Sequence, residues 1–114
     1  MARYEHLPLY KKAMETALYF EDTVREFSRY HKYTLGSELR DLSRQVVLLI
    51  IRANNSDNKK DTLQELVITC EMLKTSVVLA KEVKAFKNFK AFQKASNLAV
   101  NLCRQSEGWL KNSK

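Results

Sequence analysis

The chain has 114 residues, with 20 Lys+Arg against 13 Asp+Glu for a formal net charge of +7, and only two Gly and one Pro. That length suits a single domain over residues 1–114 with one real core, and so little Gly and Pro leaves too few turn residues for the hairpins of a sandwich or barrel. At 45% hydrophobic the chain is too apolar for disorder, and its excess of positive charge points to polyanionic partners without choosing among them.

The predicted first helix runs from about Pro8 to Ser28, with Tyr10, Ala13, Ala17, Phe20, Val24 and Phe27 alternating at three and four residues, one seam of an amphipathic helix. Pro8 fits its first turn, where a missing backbone N–H costs nothing. The stretch Arg29-Tyr30-His31-Lys32-Tyr33 breaks the pattern, and Thr34 is placed to cap a second helix. Two readings stand for that stretch: an aromatic and basic surface on which unpaired bases stack, or tyrosines that cover the end of a helical bundle.

The second helix repeats the alternation at Leu35, Leu39, Leu42, Val46, Leu49 and Ala53. From Val46 to Ile51 every residue is apolar, so the helix needs cover on more than one side. Another subunit is the expected source, with Val47, Ile50 and Ile51 at the oligomer interface. The loop Asn54-Asn55-Ser56-Asp57-Asn58 comes next, with Asn58 able to cap a third helix over about Lys59 to Lys84. That helix carries Leu63, Leu66, Val67, Cys70, Leu73, Val77 and Ala80. Phe86-Lys87-Asn88-Phe89 then reads as a tight connection, although no Gly or Pro marks it. The fourth helix shows Phe92, Ala95, Leu98, Leu102 and Cys103 and finishes with Trp109-Leu110. Four helices of about 20 residues joined by short loops define an all-α, antiparallel up-and-down four-helix bundle.

The longest strongly apolar run, Val46 to Ile51, falls far short of the roughly 20 residues a bilayer requires. With no signal-peptide stretch at the start, a cytoplasmic protein is expected. Cys70 and Cys103 sit among apolar residues and read as reduced core cysteines. A metal-binding bundle would need Glu-x-x-His on two helices, and the sequence contains none. His6 and His31 fall in or near loops, Gly36 and Gly108 stand alone rather than in a phosphate loop, and Asp22 with Glu26 fits a solvated helix face. No catalytic residue, metal or cofactor is therefore expected.

Positive charge is unevenly distributed. Up to Asp57 there are nine Lys/Arg and eight Asp/Glu, whereas from Asn58 onward there are eleven and five. Lys74, Lys81, Lys84, Lys87, Lys90, Lys94 and Arg104 are opposed over their interval by Glu82 alone. Lys90, Lys94, Asn97, Asn101 and Arg104 recur at three- and four-residue steps, a basic and amide stripe suited to phosphate oxygens. With Arg40, those seven basic residues are the candidate nucleic-acid contacts.

Two motifs carry a resemblance. His31-Lys32-Tyr33-Thr34-Leu35-Gly36-Ser37-Glu38-Leu39-Arg40, joined at the helix end by Ala53-Asn54, resembles the segment shared by bacterial four-helix-bundle proteins of the ribosomal intervening-sequence type. Arg104-Gln105-Ser106-Glu107-Gly108-Trp109-Leu110-Lys111 is similar to the C-terminal motif of the accessory variability determinants of diversity-generating retroelements. Glu107 departs from that pattern, which often has a second Gly before the Trp. The resemblance implies a homopentameric barrel of four-helix bundles, without catalytic residues of its own. It also implies binding of RNA or DNA and of the element's reverse transcriptase, in mutagenic cDNA synthesis and retrohoming. Arg40 and Arg104 are the basic residues that match position by position, as contacts either to ligand or between subunits. Two other readings stay open: an RNA-binding bundle of the intervening-sequence type that works without a polymerase, and an oligomeric scaffold whose charge serves solubility.

Overall fold

A computed structural model describes residues 4–113. After a 3-10 turn at Tyr4–His6 come α1 (Pro8–Thr23), a second 3-10 turn (Val24–Glu26), the single-turn α2 (Arg29–Lys32), α3 (Leu35–Asn54), α4 (Lys60–Glu82) and α5 (Phe89–Asn112). No strand occurs among the described residues. The four long helices pack in the cyclic order α1, α3, α4, α5 and back to α1, each against the helix before and after it. The result is the antiparallel up-and-down bundle that short connections dictate, 43 × 21 × 21 Å. Phe20, Leu39, Ile50, Leu63, Leu66, Leu73 and Leu102 fill its centre, fully buried.

The first helix is shorter than its apolar spacing suggests. Pro8 occupies its first turn, but the backbone tightens to 3-10 at Val24 and turns extended at Phe27. Tertiary packing explains the early end. Val24 and Phe27 stay buried by leaving the helix, with Phe27 edge-on to Phe86 at a centroid distance of 5.3 Å. Gly36, in the first turn of α3, makes room for this: a Cβ there would lie 2.5 Å from Val24 Cγ1 and 3.2 Å from the His31 carbonyl oxygen.

Capping also differs from expectation. Thr34 stands at the N-terminus of α3, yet its hydroxyl donates backward to the Tyr30 carbonyl at 3.1 Å and closes the preceding turn. Asn58 does accept from the Lys60 N–H, at 3.3 Å. The neighbouring Lys59 places its ammonium on the carbonyls of Ala53, Asn54 and Ser56, at 3.1, 3.3 and 2.7 Å. A cation there satisfies acceptors that the C-terminus of α3 leaves open and complements its dipole.

The α4–α5 connection, which lacks both Gly and Pro, is built by a Schellman motif with Lys84 in the left-handed region at φ 61°. The Ala85 N–H reaches the Ala80 carbonyl at 2.8 Å and the Lys84 N–H reaches Lys81 at 3.0 Å. Buried Ala85 and Phe86 anchor the turn. Asn88 then caps α5, its side-chain oxygen accepting from the Ala91 N–H at 2.8 Å.

The apolar run of α3 is covered by the chain itself. Val46, Val47, Leu49 and Ile50 are buried and Ile51 is half-buried against the core. Flanked by α1 on one side and α4 on the other, α3 leaves only a narrow outer strip, which in this run holds Leu48, 65% exposed. Val47 and Ile50 are thus covered within the chain itself, where the sequence reading expects a second subunit. The helix with an uncovered apolar face is α4, where Ile68, Met72 and Leu79 are exposed opposite its core side, with Val78 at the flank and Val83 just past the helix end.

Cys70 and Cys103 are buried free thiols. Burial pushes Cys70 up to about 11 and Cys103 up to about 12, so both remain protonated and unreactive at neutral pH.

Candidate nucleic-acid interface

The 3.6-residue period of α5 places Lys90, Lys94, Asn97 and Asn101 along one flank, and packing sets that flank beside α1. Together with Lys12, Glu15 and Tyr19 of α1 they line an open groove of about 690 Å³, with Asn88 and Gln93 also at its edge. Tyr19 fixes the two helices relative to each other, its hydroxyl donating to the Ala91 carbonyl at 2.8 Å. Lys94 Nζ lies 5.0 Å from the centre of the Tyr19 ring, where the face of the ring favours a cation. Glu15 is the single carboxylate lining the groove and pairs with Lys12 at 3.0 Å. Lys90 has no ion-pair partner among the described residues.

This groove is an array of ammonium and amide donors over an aromatic floor. Such donors bind phosphate and sugar oxygens and carry no sequence preference of their own. Its mouth is open to solvent, so an extended polymer can lie along it.

The other predicted contacts are dispersed. Arg104 is exposed farther along α5, beyond Asn101. Lys81, Lys84 and Lys87 gather at the end of the bundle around the α4–α5 connection, with Lys87 3.0 Å from Glu26. The Lys87 ammonium, through its hydrogen bond and its charge, holds the Glu26 carboxyl below the usual carboxylate range. Lys74 pairs with Glu71 at 3.1 Å, and that contact raises the Lys74 pKa.

Arg40 is taken up inside the bundle. Its Nη2 donates to the Glu21 carbonyl at 2.8 Å and its Nε lies 3.5 Å from Glu21 Oε1, with the side chain 23% exposed. Arg44 reaches the other oxygen of the same carboxylate. This arginine pair ties α3 to α1, and Arg40 has little left to offer a phosphate. Sequence reasoning also missed Lys12, Tyr19 and Asn88. The first two, with Glu15, recur at three and four residues on α1, a spacing that marks one flank but does not say which helix faces it.

Among the described residues no three His, Cys, Asp or Glu side chains converge as metal ligands would, and no helix is long and apolar enough to cross a membrane. Fold and surface together define a basic, all-helical bundle with a lysine- and amide-lined groove. A family model described as bAvd-like matches residues 8–113, and the chain belongs to that family. No curated protein and no solved structure matches it.

Proposed function

We propose that this protein is a non-enzymatic accessory factor that holds RNA or DNA through phosphates while partnering the reverse transcriptase of a retroelement in mutagenic cDNA synthesis and retrohoming. The observation that carries the reading is the α1–α5 groove, where Lys12, Lys90 and Lys94 line a solvent-open channel in a bAvd-like chain. A net charge of +7 on 114 residues adds long-range attraction for a polyanion. The cytoplasm, where such an enzyme and its template meet, is the corresponding location.

The factor works as a homo-oligomer, a ring of five by the family resemblance, and the outer face of α4 is the surface that a second copy covers. Ile68, Met72 and Leu79 succeed one another at steps of four and seven, positions d, a and a of a heptad seam that accepts another helix, and Val83 extends the apolar surface just past the helix end. From Ile68 to Leu79 the face extends roughly 17 Å along α4 at about 1.5 Å per residue, about three helical turns of contact for a second helix. Met72→Glu with Leu79→Glu should lower the mass found by sedimentation without loss of helix content. An unchanged mass would remove α4 from the interface.

Binding is tested by salt titration. Replacing Lys87, Lys90 and Lys94 with Gln should weaken RNA and DNA binding and flatten the plot of log affinity against log salt by about 0.7 to 0.9 for each phosphate that is no longer neutralised. An affinity independent of salt would overturn the electrostatic reading. Copurification with a reverse transcriptase separates this function from that of a bundle acting on structured RNA alone.

A further inference from the structure

The up-and-down topology brings the connection after α1 and the connection after α4 to the same end of the bundle. Two contacts lock them together: the Lys87–Glu26 ion pair at 3.0 Å and the edge-on Phe27–Phe86 pair at 5.3 Å. This end carries three aromatic rings in water, with Tyr30 81%, Tyr33 71% and Phe89 62% exposed. The tyrosines do not cover the core, so the bundle-end reading of the Arg29–Tyr33 stretch fails. Its alternative remains.

The Phe89 ring is firmly supported from below. Phe27, Phe86, Phe92 and Phe89 form a chain of ring contacts, at 5.3, 5.9 and 5.5 Å in turn, that runs from the buried interior to the surface. Tyr30 is held edge-on to His31 at 5.0 Å. Rings supported this way lose little freedom when a flat partner stacks on them. The charge around them is positive. Of the carboxylates here, Asp22, Glu26 and Glu82 are each in an ion pair, with Arg25, Lys87 and Lys81, and Glu38 in the first turn of α3 accepts from the Ser76 hydroxyl at 2.8 Å. Arg29, Lys32, Lys84 and Lys90 remain as surplus.

We infer that this end of the bundle binds single-stranded nucleic acid, with unpaired bases stacked on Tyr30, Tyr33 and Phe89 and the backbone held by the surrounding lysines and arginine. Exposed rings set among cations suit a polymer that presents flat bases and phosphates together, and a duplex keeps its bases stacked inside. The inference rests on the nucleic-acid reading above and deepens it. The groove supplies phosphate contacts that any strand satisfies, and the aromatic end adds a preference for unpaired bases. A 2′-hydroxyl takes no part in stacking, so oligo-U and oligo-dT share the chemistry.

The experiment measures fluorescence polarisation of labelled 20-mers at fixed low salt: oligo-dT, oligo-U, oligo-dU, an abasic tract of equal length, and a duplex. Wild-type protein should bind oligo-dT and oligo-U at least tenfold more tightly than the abasic tract, and oligo-dU, which differs from oligo-U only in the 2′-hydroxyl, should bind as oligo-U does if stacking carries the preference. The variant Tyr30→Ala/Tyr33→Ala/Phe89→Ala removes no charge and no core atom. It should lose that tenfold advantage, keep its affinity for the duplex and the abasic tract, and keep its melting temperature. Equal wild-type binding to base-bearing and abasic tracts, or a variant that retains the advantage, overturns the inference and leaves the groove reading in place. Failure of every oligonucleotide to bind overturns both.

Discussion

Lys87 Nζ lies 3.0 Å from Glu26 Oε1, joining residues 61 positions apart in the chain. The pair couples the two connections that carry most of the exposed aromatic and surplus basic residues, so the geometry of that surface depends on a contact no local pattern announces.

The Glu26 carboxyl should titrate below the usual carboxylate range by carbon-detected NMR, and Lys87→Ala should return it there. With its folded pKa depressed, the pair contributes stability above the unfolded carboxylate pKa and loses it as pH falls through the folded value. Both partners are well exposed, so the contribution is small and salt should suppress it.

The two glycines should respond to alanine with opposite sign. At Gly108, inside α5, a Cβ meets nothing within 4 Å, and Gly108→Ala should raise stability by about 0.5–1 kcal/mol in urea unfolding. At Gly36 the new Cβ would press on Val24 Cγ1, a buried and branched side chain without room to turn. Overpacking of about 1–3 kcal/mol outweighs the gain in helix propensity, so Gly36→Ala should destabilise. Introducing it into a Val24→Ala background should recover most of the loss, as a double-mutant cycle would show.

Lys84→Gly should raise the melting temperature although it shortens a side chain. A left-handed residue other than glycine carries a backbone cost of about 1–2 kcal/mol, and Lys84 at φ 61° carries it at the turn into α5. Lys84→Ala keeps that cost and removes the same ammonium, so the melting temperatures should follow the order Gly above Lys and Ala. A Gly variant no more stable than the Ala variant would show that the turn is not strained.

Both thiols should resist iodoacetamide at pH 8 in the native protein and react readily in denaturant. Their folded pKa values, about 11 for Cys70 and about 12 for Cys103, lie above the ordinary 9.0. The stability they contribute is complete below pH 9 and is lost as pH rises toward 11 and 12, because only the unfolded chain then releases the protons. Between pH 8 and 10 unfolding free energy should fall more steeply for the wild type than for Cys70→Ala/Cys103→Ala.

Much of the bundle is legible in the sequence because helix periodicity is a local property. Ala13, Ala17 and Phe20, or Leu63, Leu66 and Leu73, declare a buried flank wherever the helix finds a neighbour. The α5 stripe of Lys90, Lys94, Asn97 and Asn101 is legible for the same reason. The uncovered face of α4 is not. Ile68, Met72 and Leu79 look like further core residues until the other three helices are in place, and Val47 and Ile50 look like surplus until α1 and α4 enclose them.

The sequence by itself determined the class of the molecule, the four helices and the sign of its charge, because composition and residue spacing act along one chain segment at a time. Tertiary structure alone decided that Tyr19 floors the groove beside Lys94, that Arg40 is spent on Glu21, and that Tyr30, Tyr33 and Phe89 share one end. Those outcomes depend on which helix faces which and on where the chain leaves a helix early to bury Val24 and Phe27, choices made by packing between segments far apart in sequence.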